Sequence, residues 1–181
     1  MPFAPRTHKP NHSDTVPAIS MARPYAQLFA NGHLTVDDRT RPPSVRGWIA
    51  LHSSLSWDCG YFHWAAKNLS GAFPLPTEEE CPKGAVIGAL FLSEVLPPGQ
   101  NPAGLPVWRR PHLGGAGDPS GLFHGFHGLV FTSRFPAPEP IPVRGMPGTF
   151  RIPKPCWWDS LPKNPERMPP SAAGETKWPN P

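Results

Sequence analysis

Residues 24–39 read PYAQLFANGHLTVDDR, and the change of rhythm inside this stretch decides the fold class. Its first half has a helical period, because Tyr25, Leu28 and Phe29 share one face at i, i+3 and i+4 spacing. Pro24 suits a first helical turn, where a missing N–H does no harm, and Gly32 suits the position just past the last turn, where left-handed backbone is wanted. The spacing predicts a short helix over 22–31. The second half, 33–39, turns extended and is expected to be a strand.

Residues 45–52 (VRGWIALH) alternate Val45, Ile49 and Leu51 with Arg46, Ala50 and His52, which predicts a second strand after a turn at Pro42 and Pro43. Residues 57–69 suggest a helix interrupted at Gly60. Residues 85–96 (AVIGALFLSEVL) are the most apolar stretch, and a buried strand with a bend or bulge at Gly88 is expected. A long Pro/Gly-rich connection over 97–123 precedes three short strand candidates at 128–135, 141–144 and 149–152. Several short strands with one or two flanking helices predict a mainly β fold with α (α+β), in the form of a small, partly closed barrel.

The 181 residues allow one domain with a sizeable core. Only 38% are hydrophobic and 29 are proline, so part of the chain is expected to stay outside that core. The division expected is a flexible Pro-rich arm at 1–20, a domain at 21–153 and a Pro-rich tail at 154–181, partly docked through Trp157 and Trp158. A net charge of +4 suits a polyanionic partner or simply solubility. Cys59, Cys81 and Cys156 form no CxxC pair, which argues against a disulfide framework or a zinc ribbon. No apolar run approaches the roughly 20 residues of a membrane helix, and the first residues lack a secretory core, so a cytoplasmic protein without membrane contact is expected.

Four stretches, taken in order, resemble the ASCH family of PUA-like domains: PYAQLFANGHLTVDDR, RGWIALHSS, PKGAVIGALFLSEVL and GLVFTSRFPAPEPIPVRGMPGTFRIP. Together they span about 22–153. They match the family's Arg-Pro-Tyr-Ala start, its R-G-x-hydrophobic-x-hydrophobic-H strand, its P-x-G opening and its P-I-x-x-x-G element. The resemblance implies a PUA-like β-barrel with a cleft beside the first helix, lined by a G-x-K-x-x-E-x-R segment. Gly32 and Arg39 fit that segment, Asp37 stands for Glu, and Leu34 replaces the Lys. Related amidohydrolases that deacetylate modified cytidine use a Lys and a Thr where this chain has Leu34 and Asp37, so that activity is not carried over.

The function expected is nucleic-acid binding in a basic cleft, RNA (single-stranded or carrying a modified nucleotide) rather than DNA. Arg39 and Arg46 are the main phosphate candidates, since guanidinium groups match phosphate bidentately; the competing expectation is an ion-pair network with Asp37 and Asp38. Trp48 and Tyr25, with Trp57, are candidate stacking platforms, with core packing as the alternative. Ser53, beside His52, and Arg134, a solvated charge or a further contact, complete the set. The same cleft could instead serve a ribonuclease or nucleoside-processing hydrolase, with Asp37 and His52 as acid and base. A third alternative is a protein-interaction scaffold whose Pro-rich arms recruit partners. His124 and His127 (H-x-x-H), the glycines of 112–121 and the run Glu78, Glu79 and Glu80 make no convincing metal or phosphate motif. No metal and no cofactor are expected.

Overall fold

The computed structural model describes residues 14–69, 74–98 and 127–165. Six strands form one mixed sheet: β1 (Thr15–Arg23), β2 (Val36–Arg39), β3 (Gly47–Trp57), β4 (Ala85–Leu96), β5 (His127–Pro142) and β6 (Thr149–Pro153). The order across it is β2-β5-β4-β3-β1-β6. Helices α1 (Tyr25–Ala30) and α2 (Cys59–Leu69) follow β1 and β3, and a 3-10 turn spans Trp158–Ser160. The fold is therefore mainly β with two α-helices, and no ladder joins β2 to β6 among the described residues.

The helix read from 24–39 is present but shorter than 22–31. It ends as Gly32 suggested: His33 N–H donates to Leu28 O at 2.9 Å and Gly32 N–H to Phe29 O at 3.0 Å, with Gly32 at φ +77. This is the paired Schellman cap, which gives the last carbonyls partners. All six residues of α1 are buried. At α2, Asp58 Oδ1 accepts the Tyr61 N–H at 2.9 Å, so the helix starts one residue after this cap rather than at Trp57.

One expectation is corrected. The arm expected over 1–20 reaches too far, because Thr15–Arg23 is a strand inside the sheet, parallel to β3 and antiparallel to β6. Pro17 hid it. Lys154 N–H donates to Asp14 O at 2.9 Å, so hydrogen-bonded pairs alternate from there, and Pro17, opposite Arg151, falls on a pair that needs no donor toward β6. Its other side precedes the β3 ladder, which begins at Ala18. The expected arm at 1–13 and the far tail lie outside the described residues, as do His124, residues 112–121 and most of 97–123.

β4 matches 85–96 at both ends. A β-carbon on Gly88 would lie 2.5 Å from Phe135 O, and between the pairs Leu51–Gly88 and His52–Val86 the β4 strand carries one more residue than β3, so the expected bulge is there. β5 joins two predicted strands into one of 16 residues. Pro136, Pro138, Pro140 and Pro142 recur at every second position, which places their missing N–H groups on one edge. Beyond Phe131 the side of β5 that faced β2 has no strand partner, so an edge without donors is tolerated there.

The sheet is covered on both faces. Ile19, Ile49, Leu51, Leu90 and Phe131 pack with α1 and Tyr61 of α2 on one side. Val16, Ala18, Ala50, Val86, Phe150 and Trp157 form a second cluster on the other. Trp157 is stacked on Phe135 at 5.4 Å, and Trp158 packs beside it. No helix among the described residues is long and apolar enough to cross a membrane.

Candidate functional site

Strand pairing builds the floor of the site. Ser20 and His52 are direct neighbours across the parallel β1–β3 pair. Ser20 Oγ lies 2.9 Å from His52 Nδ1, and His52 Nε2 lies 3.0 Å from Val143 O. A carbonyl can only accept, so Nε2 carries the proton and Nδ1 accepts from the Ser20 hydroxyl. Burial pulls the His52 pKa below its ordinary value, against the opposing bond to Val143, which keeps the ring in that neutral tautomer.

Arg39, at the end of β2, ties that edge strand of the sheet to this floor. Its Nη2 donates to Ser20 O at 2.9 Å and its Nε to Asp37 Oδ2 at 2.5 Å. Burial is the largest single influence and works against its charge, but the charge and hydrogen bond of Asp37, with Tyr25 and Asp38, together outweigh it and the Arg39 pKa is raised. A continuous polar chain thus runs Asp37–Arg39–Ser20–His52–Val143 across three strands and the segment after β5.

Above it opens a cleft of about 1050 Å³. Its walls are Ser20 to Ala22 of β1, Arg39, His52 and Ser54 to Ser56 of β3, Gly84, and residues 142–148. Among the described lining residues the charged ones are both arginines, Arg39 and Arg144. Among the described residues, the large hydrophobic side chains that stand exposed, Leu55 (73%) and Met146 (56%), both line this cleft. Gly84, at φ +64, accepts the Val143 N–H at 3.0 Å, and a β-carbon on it would lie 2.9 Å from Leu55 Cδ2. Leu55 therefore rests on the backbone that holds the 142–148 segment in place.

Of the residues singled out in the sequence, Arg39 and His52 meet here. Asp37 does not reach the cleft: it is fully buried and engaged by Arg39, so the expected ion pair forms while no hydrogen bond joins Asp37 to His52. Tyr25 is corrected from platform to core, with 2% exposure and edge-on packing against Phe29 and Tyr61. Trp48 points elsewhere, donating to Pro162 O at 2.7 Å and packing on Phe91. Trp57 packs against Phe62. Arg46 turns back on the Pro43 and Val45 carbonyls. Ser53 is fully buried, and Arg134 lies across Gly32 at the end of α1.

No local pattern marks Ser20, Leu55, Arg144 or Met146 as site residues. One signal was available. Arg39, His52, Gly84 and Gly145 come from four separate motif stretches and converge on this cleft. No family model matches the chain, and no curated protein matches it.

Proposed function

We propose that this chain is a nucleic-acid-binding domain of the ASCH type and that its open sheet is a variant of the PUA-like barrel. Three register shifts in the β4–β5 ladder bend these two long strands in the way such a barrel needs. The cleft holds an unpaired stretch of RNA, with a phosphate against Arg39 and Arg144 and a base against Leu55 and Met146. The observation that carries this reading is the lining itself: its charged groups are both guanidinium, and the exposed large apolar side chains stand beside them. Guanidinium groups match phosphate oxygens, and a splayed base needs an apolar face to lie on. A duplex would keep its bases stacked and leave those apolar side chains in water.

Binding is favoured over phosphodiester cleavage because Asp37 is sealed beneath Arg39 and the expected acid–base pair with His52 is not assembled. Anisotropy titration of a short single-stranded RNA tests the reading. Binding that weakens as salt rises is expected, and absence of binding at low salt would refute it.

A further inference from the structure

We propose that Ser20 is a catalytic nucleophile and His52 its general base, and that the cleft hydrolyses an anionic carboxylic ester. Four observations meet at this point. The Ser20 hydroxyl donates to His52 Nδ1 at 2.9 Å. The opposite ring nitrogen is fixed by the Val143 carbonyl at 3.0 Å, so the lone pair faces the serine. The Arg39 guanidinium is anchored on the backbone carbonyl of Ser20, which puts a cation at the nucleophile's own residue to meet the oxyanion that the proposal requires. Ser20 and Arg39 also line the open cleft, so a substrate can reach them. Nucleophile, base, orienting acceptor and cation are the parts that acyl transfer requires.

In the first step Ser20 Oγ bonds to the ester carbon as its proton passes to His52 Nδ1. The ester C–O bond then breaks, and the alcohol leaves with that proton. Water next attacks the acyl-serine, giving one proton to Nδ1; the acyl C–O bond to Ser20 breaks, Ser20 Oγ takes that proton back, and the carboxylic acid departs and releases its own proton to solvent. Val143 positions the ring and touches no substrate. The low proton affinity of buried His52 keeps it able to act as a base at neutral pH. The anionic part of the substrate rests on the proposed function: on that reading the ester is an O-acyl ribose of the bound strand, since hydroxyls are the alcohols RNA offers. The dyad itself does not rest on it.

The test is incubation of the full chain with a fluorophosphonate, followed by intact and peptide mass spectrometry. One adduct is expected, on the peptide carrying Ser20, with loss of fluoride. Ser20→Ala should abolish it, and His52→Gln should slow it by about 100-fold or more. Thermal melting of both variants separates lost reactivity from lost folding, and peptide mapping of the unaltered chain needs no variant at all. A folded wild-type protein that takes no label, or takes it on another residue, would overturn the proposal. Labelling of Ser20 without RNA binding would keep the dyad and remove the RNA reading.

Discussion

Gly145 lies so close against the His52 ring that a β-carbon there would sit 2.3 Å from His52 Cε1. The contact, rather than any unusual backbone angle, is what demands glycine, and it connects the segment after β5 to the floor of the cleft. Gly145→Ala must push the ring off the Ser20 hydroxyl or lift residues 142–148. A loss of about 1–3 kcal/mol in folding stability is expected, the usual range for overpacking. Urea denaturation measures it, and an unchanged midpoint would show that the segment gives way freely.

Asp37→Ala should be more damaging. Asp37 is fully buried, while the Arg39 side chain keeps 19% exposure. Removing the carboxylate leaves a largely buried guanidinium without its counter-charge. Breaking such a pair costs about 3–5 kcal/mol when both partners are sealed, and the partial exposure of Arg39 places the loss toward the lower end. Asp37→Ala with Arg39→Met should recover part of it. Additive losses in that double-mutant cycle would argue against coupling.

Among the described residues, two histidines with lowered pKa, His52 and His33, set a pH dependence. Burial lowers His52, and burial followed by the neighbouring Arg134 lowers His33. The unfolded chain then takes up protons that the folded chain refuses, so stability is complete above the ordinary histidine value of 6.5 and falls as pH drops below it. Denaturation midpoints measured from about pH 8 down to about pH 5 should decline below that point. His52→Gln should flatten part of the decline; an identical profile would remove His52 from the account.

Arg46→Gln and Trp48→Ala separate the cleft from the residues that sequence order alone suggested. Arg46 is occupied by two backbone carbonyls, and Trp48 by Pro162 and Phe91. Both variants should bind RNA within about two-fold of the unaltered chain, a difference of less than about 0.5 kcal/mol. Trp48→Ala should still lower the melting temperature, because it leaves the second core cluster short of an aromatic ring.

Local chemistry made part of this protein legible in its sequence. The cap at Gly32, the bulge at Gly88 and the limits of β4 follow from backbone rules that act over a few residues. Leu34, which stands where the resembling family has a Lys, packs in the core at 2% exposure, as an aliphatic residue at the end of a buried helix should. The site was less readable because register makes it. Ser20 meets His52 only because β1, concealed by Pro17, runs parallel to β3 across a crossover that contains α1 and β2. Neither a lone serine nor an arginine in a Pro-rich stretch signals such a meeting. Aromatic residues misled for the opposite reason: Tyr25 and Trp48 look fit for stacking, and burial against neighbours claims that surface first.

The most direct test of the cleft is the salt dependence of RNA binding with and without the Arg144 charge. Arg144 is exposed and lines the cleft, so its removal spares the fold. For the unaltered chain, log affinity should fall linearly with log salt. Arg144→Gln should weaken binding and make that slope shallower by about 0.7, the share of one phosphate contact on a single strand. Arg46→Gln should leave the slope as it was. A slope that ignores Arg144, or RNA that fails to bind at low salt, would contradict the account.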